Sequence, residues 1–99
     1  MPSGAPLFNK YKIFETDNFK KQLFNFDKHQ VEQLYSKIKQ IVYSQLRQEP
    51  HYGPNIKKLK GYNPETWRYR IGDYRIFFEI DHDENVIGII AIKHRKDAY

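Results

Sequence analysis

The chain has 99 residues, with 17 Lys or Arg against 12 Asp or Glu, four histidines and no cysteine. This length supports one domain with a single core, and the 16% aromatic content supplies bulky side chains for it. The lack of cysteine excludes disulfides and thiolate metal sites, which makes a reducing cytoplasm the expected compartment. No apolar run approaches the ~18 residues that cross a membrane, and residues 1–6 do not form a secretory signal. We expect residues 1–10 to be a flexible leader and residues 11–99 to be a single domain.

The positive charge is concentrated in two segments. Residues 57–75 hold six Lys or Arg against two acidic residues, and residues 93–97 hold three against one. The remaining residues hold eight basic and nine acidic side chains. Such segregation points to a polyanionic partner, either a nucleic acid or an acidic protein segment.

The N-terminal half predicts one strand and two helices. Residues 11–15 are β-prone, and Thr16 with Asp17 offers an N-cap for a first helix. Asp27 is a second capping candidate, after a break at residues 25–28. The core positions of the first helix are predicted to be Phe19, Leu23 and Phe26. A second, amphipathic helix of about five turns follows, with predicted core positions at Val31, Leu34, Ile38, Ile41 and Leu46 and solvent-facing positions at Lys37, Lys39 and Gln40.

The C-terminal half predicts a sheet. Residues 49–54 form a turn-rich connector, and Ile56 and Leu59 anchor the segment that follows it. Two alternating runs flank a Gly72-Asp73 turn, which is typical of a β-hairpin. The nearly continuous apolar run over residues 86–92 predicts a central strand buried on both faces. The element order is therefore β-α-α-β-β-β, an α+β fold in which a two-helix hairpin packs on a small, mainly antiparallel sheet.

The turn at Gly72-Asp73 also predicts the register of the hairpin. Ile71 then faces Tyr74, Arg70 faces Arg75, and Arg68 faces Phe77. Two facing arginines repel, whereas opposite charges would attract by roughly 0.2–1 kcal/mol. An anion held between them would remove the conflict. Alternation places seven apolar residues on the other, core-facing side: Trp67, Tyr69, Ile71, Tyr74, Ile76, Phe78 and Ile80.

Most common site chemistries find no support in the sequence. The histidines lack metal-ligand spacing, the serines lie in no nucleophile motif, and the glycines form no phosphate loop. We therefore expect no metal and no cofactor. Arginine suits phosphate because its planar fork donates two parallel hydrogen bonds. Phosphoryl transfer to an RNA 2′-oxygen needs charge stabilisation and two proton transfers. Arg95 and Tyr99 are expected to join the hairpin arginines at one edge of the sheet.

Three fragments together carry a family resemblance. They are Leu59-Lys60-Gly61, the hairpin from Trp67 to Ile80, and the run from His94-Arg95 to Tyr99. Their combined pattern, L-x-G … W-x-x-R-x-G-x-Y-R-hydrophobic … H-R-x-x-x-Y, resembles the RelE/ParE superfamily of type II toxins. Within that superfamily the pattern is more similar to the RelE-like branch.

This resemblance implies a RelE-like fold and a ribosome-dependent endoribonuclease that cuts mRNA in the A site of the 70S ribosome without a metal. A cognate antitoxin with an acidic or amphipathic segment would hold it inactive in a hetero-oligomer. The free protein is expected to be a monomer, because the sequence shows no second apolar face beyond the one that the helices cover. The implied catalytic residues are Arg68, Arg70, Arg75, Arg95 and Tyr99. The implied RNA-binding residues are Lys57, Lys58, Lys60, Lys93, His94 and Lys96. Because arginine does not lose its proton in proteins, Tyr99 or His94 is the better candidate for proton transfer than Arg70.

Two alternatives remain open from the sequence. A ParE-like toxin would inhibit DNA gyrase by protein contact and cut no RNA, on a sheet of the same appearance. A non-catalytic protein would use the same basic face only to bind a nucleic acid or an acidic partner. The presence of all five implied catalytic residues favours the nuclease.

Overall fold

A computed structural model describes residues 10–97, so nearly all of the expected leader and Tyr99 lie outside the described residues. Two helices pack on a five-stranded sheet, and the predicted α+β class is confirmed. The second helix is continuous through α2, a π-helical segment and α3, because the residues at both junctions keep helical backbone angles. The elements in chain order are β1 (Lys12–Glu15), α1 (Asp17–Leu23), α2 (Lys28–Lys37), the π segment (Ile38–Val42), α3 (Tyr43–Gln48), β2 (Ile56–Lys58), β3 (Trp67–Ile71), β4 (Tyr74–Asp81), β5 (Val86–His94) and a 3-10 turn (Arg95–Asp97).

The sheet has the strand order β1-β5-β4-β3-β2. β1 pairs with β5 in parallel, and the other three pairings are antiparallel. The hairpin register is the predicted one, with Arg70 opposite Arg75 and Ile71 opposite Tyr74. β5 lies between β1 and β4, as predicted for a central strand. The prediction that both of its faces are buried was wrong, because the helices cover one face and residues such as Val86, Gly88 and Ile90 remain partly exposed. β2, a strand of three residues, is an addition to the predicted order.

The core lies between the helices and one face of the sheet. All seven predicted hairpin positions either belong to this core or pack against it. β4 and β5 contribute its centre, together with two side chains of α1, and these residues have no exposed surface: Ile76, Phe78, Ile87, Ile89, Phe19 and Leu23. In the part of the chain that the structure describes, no helix is long and apolar enough to cross a membrane.

The long helix departs from the predicted apolar stripe in its middle. The backbone N–H of Tyr43 donates to the carbonyl of Ile38, an i to i−5 bond that holds one extra residue in this turn. The extra residue rotates the apolar positions of the rest of the helix, so Val42 and Tyr43 are buried while Ile41 is 51% exposed. The prediction that Ile41 lies in the core was therefore wrong.

Two tyrosines of this helix, one on each side of the π segment, meet Glu15 at the end of β1. The hydroxyl of Tyr43 donates to Glu15 Oε2 at 2.7 Å, and the hydroxyl of Tyr35 donates to the same oxygen at 2.8 Å. Burial, reinforced by the bond to Glu15, raises the pKa of Tyr35 to about 12. The same causes raise the pKa of the more buried Tyr43 further. This carboxylate joins the sheet to the helix.

The predicted helix caps are confirmed, since Thr16 Oγ1 accepts from Phe19 N–H and Asp27 Oδ1 accepts from His29 N–H. α1 also completes the edge of β5 beyond the point where β1 ends. The hydroxyl of Thr16 donates to the carbonyl of Ile89 at 2.7 Å. Further along, Asn18 donates to Ile90 O, and Gln22 accepts from Ile92 N–H, both at 2.9 Å. Backbone groups that lack a strand neighbour thus find side-chain partners.

Candidate functional site

The sheet face turned away from the helices, called the open face below, carries a concentration of positive charge. Arg70 on β3 is opposite Arg75 on β4, which is opposite Lys93 on β5. Neighbouring strands lie about 4.8 Å apart, so this basic row sets three cations side by side. The next row along the strands consists of Lys57, Arg68, Phe77 and Ala91.

Arg75 lies at the centre of the basic row and is only 8% exposed. Its Nη1 donates to the carbonyls of Gly72 at 3.1 Å and Tyr74 at 3.0 Å, which holds the guanidinium against the hairpin turn. Its buried Nε finds no acceptor within residues 10–97. A buried donor on a charged group costs free energy when it is unsatisfied. A bound anion would supply the missing acceptor.

The two flanking cations of the row are exposed. Within the described residues neither Arg70 nor Lys93 forms an ion pair, and no carboxylate occupies the row. Their like charges therefore repel one another across the strands, as expected from the facing arginines. The positive potential of this row is available to a ligand.

Arg95 follows β5 and is held at the hairpin turn. Its backbone N–H donates to the carbonyl of Asp73 at 2.7 Å, and its Nε lies 3.6 Å from Asp73 Oδ1. Both side chains are more than half exposed, so the ion pair adds little to stability. Arg95 thus lies at the same end of the sheet as the basic row, although its charge is shared with Asp73.

The other predicted site residues are distributed over several surfaces. His94 is opposite Tyr74, on the helix side of the sheet, where its ring meets Tyr74 edge-on and its Nδ1 accepts from Lys96 N–H. Lys58 forms an ion pair with Glu65 at 2.9 Å. Lys60 and Lys96 are exposed in turns, and Lys57 lies on β2 opposite Arg68. Tyr99 lies outside the described residues, so the structure brings together the hairpin arginines with Lys57 and Lys93, and not His94.

A cleft of about 460 Å³ adjoins the basic row on the open face. The loop from Leu59 to Thr66 forms one wall and is closed by a 2.9 Å bond from Leu59 N–H to Thr66 O. The floor comes from β4 and β5. Lys93 belongs both to the basic row and to the lining of the cleft, which consists of Tyr62, Asn63, Pro64, Thr66, Phe77, Glu79, Ile90, Ala91, Lys93 and Asp97.

The residue pattern alone did not predict this cleft. Its one partial signal is the alternation along β4, where Arg75, Phe77 and Glu79 must share a face. The position of Tyr62 over that face depends on the conformation of the loop, in which the Asn63-Pro64 bond is cis and Gly61 has φ +80°. Neither property follows from the local pattern of residues.

Two histidines that are distant in sequence meet at the opposite end of the sheet. His51 Nε2 lies 2.9 Å from His82 Nε2, while Glu49 accepts from the backbone N–H of His51 and lies 3.0 Å from its Nδ1. These contacts lower the pKa of Glu49, with the backbone bond as the main cause. The ring centroids are 5.1 Å apart, far more than the two nitrogens, so the rings meet end to end and share a hydrogen bond.

Within residues 10–97, no group of three or more His, Asp or Glu side chains is placed to hold a metal ion.

The chemistry that this arrangement supports is phosphate binding. Guanidinium groups offer paired donors to phosphate oxygens, and the cleft beside them offers aromatic and apolar surface. The described basic row consists of the cations Arg70, Arg75 and Lys93, and the carboxylates of Glu79 and Asp97 lie in the cleft beside it. The row therefore stabilises charge and does not by itself explain proton transfer.

Comparison with solved structures shows the same fold in toxins of toxin–antitoxin systems. The chain is 21% identical to a chain of the toxin–antitoxin complex RelBE2 from Mycobacterium tuberculosis, with a TM-score of 0.66 over 87% of this chain and 99% of that one. It is 18% identical to an arginine-to-alanine mutant of E. coli RelE in the free state, with a TM-score of 0.64 over 90% and 87%. It is 29% identical to a chain of the RelB–RelE antitoxin–toxin complex from Methanococcus jannaschii, with a TM-score of 0.58 over 87% and 94%.

No curated protein matches the sequence at a significant level. A family model does match, and it covers residues 13–99, which is most of the chain. Its description is the ParE toxin of the type II toxin–antitoxin system parDE. Together with the fold, this match shows that the chain belongs to the ParE toxin family of type II toxin–antitoxin systems, within the RelE/ParE superfamily.

Proposed function

We propose that this toxin is a ribosome-dependent endoribonuclease that cleaves mRNA in the ribosomal A site. The reaction is attack of the RNA 2′-oxygen on the adjacent phosphorus, with departure of the 5′-oxygen, and it needs no metal ion. The observation that carries the proposal is the basic row, in which a buried arginine presents an Nε without an acceptor among residues 10–97, between two cations that form no ion pair with those residues. Such a row is suited to the extra negative charge of the phosphoryl transition state.

The hairpin arginines have distinct roles in this proposal. Arg75 binds a non-bridging phosphate oxygen, because its guanidinium is already held by two backbone carbonyls and needs no reorganisation. Arg70 and Arg68 bind the flanking phosphates, and Arg95 contributes charge from the end of β5. Tyr99 is assigned to the proton transfers, since arginine does not deprotonate. Lys57, Lys58, Lys60, Lys93, His94 and Lys96 are assigned to contacts with mRNA or ribosomal RNA.

Primer extension on an mRNA translated in vitro tests the activity directly. Added wild-type protein is expected to produce codon-dependent cuts that require the ribosome. Arg75→Ala should reduce cleavage by about 10²–10³-fold, the usual effect of removing one transition-state donor. Tyr99→Phe should also reduce cleavage, because it removes the hydroxyl group that is assigned to the proton transfers. Lys28→Ala is the matched control, because Lys28 is an exposed cation on α2, away from the open face.

The family assignment keeps a gyrase inhibitor as the second candidate, since the matching family model is that of ParE. A DNA supercoiling assay with purified gyrase separates the two functions. Inhibition of supercoiling together with uncut mRNA would overturn the endoribonuclease. Cleavage of mRNA without inhibition of supercoiling would exclude gyrase as the target. If neither effect appears while the protein still binds RNA, the function is non-catalytic binding.

We further propose that a cognate antitoxin neutralises the protein by covering the basic row with an acidic segment. Support comes from the RelB–RelE complexes among the similar structures and from the exposed cations of the row, Arg70 and Lys93, which form no ion pair within the described part of the chain. Charge reversal of Arg68 and Arg70 to glutamate should weaken the complex, and salt should weaken the wild-type complex. A complex that is insensitive to both changes would contradict this mode of inhibition.

A further inference from the structure

The cleft on the open face has two aromatic surfaces and a half-buried carboxylate, that of Glu79. Tyr62, which is 56% exposed, belongs to its wall, and Phe77 belongs to its floor. Glu79 lies two residues beyond Phe77 on the same face of β4. Within residues 10–97 the Glu79 carboxylate forms no hydrogen bond and no ion pair. A half-buried carboxylate without a partner among these residues is available for a ligand that donates hydrogen bonds. The second carboxylate of the lining, Asp97, belongs to the exposed 3-10 turn after β5.

The cleft is aligned with the basic row along a single strand. Arg75, Phe77 and Glu79 occupy alternate positions on β4, and each step of two residues advances roughly 7 Å. A nucleotide whose phosphate lies at Arg75 therefore places its sugar and base above Phe77. The far edge of the base then points towards Glu79. Lys93, which belongs to both the row and the cleft, makes the surface continuous.

We propose that this cleft binds one base of the RNA beside the phosphate that the basic row holds, and that Glu79 selects guanine. The inference rests on the proposed RNA-cleaving function and adds to it a determinant of sequence preference. The Watson–Crick edge of guanine carries two neighbouring donors, N1–H and the N2 amino group, which match the two acceptor oxygens of a carboxylate. Adenine presents an acceptor at N1, which a carboxylate repels. Cytosine offers a single donor group there, and uracil has an N–H between two acceptors.

The walls of the cleft favour a flat aromatic ligand. Tyr62 and Phe77 offer ring faces, and bases stack on such rings with little regard to their identity. The wall that carries Tyr62 is held in place by the bond between Leu59 and Thr66 and by a 3.1 Å bond from the hydroxyl of Thr66 to the carbonyl of Pro64. Stacking therefore supplies affinity for any base, and the carboxylate supplies the choice among bases.

Binding of uncleavable RNA tests this inference apart from catalysis. The probe is a fluorescein-labelled 2′-O-methyl uridine pentamer with one central guanosine, which cannot react because its 2′-oxygens are blocked. Matched pentamers carry adenosine, cytidine, inosine or uridine at the centre. By fluorescence anisotropy the wild-type protein should prefer guanosine over adenosine by roughly fivefold or more, the range for a bidentate contact. Inosine, which lacks the N2 amino group, should fall between them.

Two variants assign the preference to its source. Glu79→Gln keeps the shape of the side chain and should bring the guanosine-to-adenosine ratio to below about twofold. Because the variant removes a negative charge beside the basic row, it should raise the affinity for all the pentamers, and the ratio between pentamers is the readout. Tyr62→Ala should weaken all pentamers and leave their ratio unchanged. Circular dichroism confirms that each variant is folded before its affinities are compared.

The outcomes separate the inference from the proposed function. Equal affinity for guanosine and adenosine in the wild type, a preference that survives Glu79→Gln, or a preference for cytidine would each overturn the assignment of guanine. If the protein cuts mRNA on the ribosome but shows no preference for guanosine, the guanine site is refuted and the endoribonuclease function stands. If the protein never cuts mRNA but prefers guanosine in a way that depends on Glu79, the base site stands and the endoribonuclease function is refuted.

Discussion

The two faces of the sheet are built from the same strands but meet different physical demands. On the helix side, alternate residues of β4 such as Ile76 and Phe78 have no exposed surface and pack against α1 and the long helix. On the open face, the residues between them place like charges opposite each other, and the carboxylate of Glu79 has no partner among residues 10–97. Burial in the core explains the apolar side chains of the first face. The second face contains features that reduce stability, and such features are typical of binding sites.

The largest effect that tests this contrast comes from two neighbouring phenylalanines. Phe78→Ala should destabilise the fold by about 3–5 kcal/mol, because it opens a cavity in a fully buried core. Phe77→Ala on the open face should cost about 1 kcal/mol, since Phe77 is only partly buried. Urea denaturation measures both values. Similar losses for the two variants would show that the open face is also a structural core.

A second effect should appear on the helix side at alkaline pH. Because the pKa of Tyr35 is raised to about 12 in the folded state, the folded protein binds the phenolic proton more tightly than the unfolded chain does. The corresponding stability is fully present below pH 10, the ordinary pKa of tyrosine, and is lost as the pH rises towards 12. The urea midpoint of the wild type should therefore be lower at pH 11 than at pH 9. The decrease between these two pH values should be smaller for Tyr35→Phe. An identical slope in the variant would refute the role of this phenol.

The smallest effect concerns the facing arginines. Arg70→Gln removes one of two like charges and should raise stability by about 0.2–1 kcal/mol while weakening RNA binding. The gain should shrink in concentrated salt, which screens exposed charges. Lys28→Gln provides the control, because Lys28 has no cation opposite it in a strand pair. A loss of stability in Arg70→Gln would mean that the row does not carry the proposed repulsion.

Much of the fold followed from local patterns. A single hairpin register places seven of the eight apolar residues of β3 and β4 on one face, so the turn at Gly72 and the alternation determine the same pairing. Thr16 and Asp27 identified both helix starts, because few side chains can satisfy the first N–H groups of a helix. The basic row followed directly from that register, since facing positions share a face of the sheet.

Other features depended on contacts that local patterns do not contain. The apolar spacing around Ile41 is compatible with an unbroken α-helix, and only tertiary packing selects the π turn that exposes it. His51 and His82 are 31 residues apart and meet because two separate loops end at the same place. The cleft required the conformation of residues 59–66, and β2 is too short for any periodic signal. Within the site, the sequence therefore predicted the charged residues and missed the surface beside them.

The hydrogen bonds from α1 to β5 also limit how this molecule can associate. A strand with free N–H and C=O groups is a template for another chain, and exposed edges lead to uncontrolled polymerisation. Thr16, Asn18 and Gln22 occupy the part of the β5 edge that β1 leaves open. The two outermost strands are only four and three residues long, and lysines lie at the β2 edge. A partner that extends the sheet by strand addition must therefore do so over three or four residues, so it needs side-chain contacts elsewhere to remain bound.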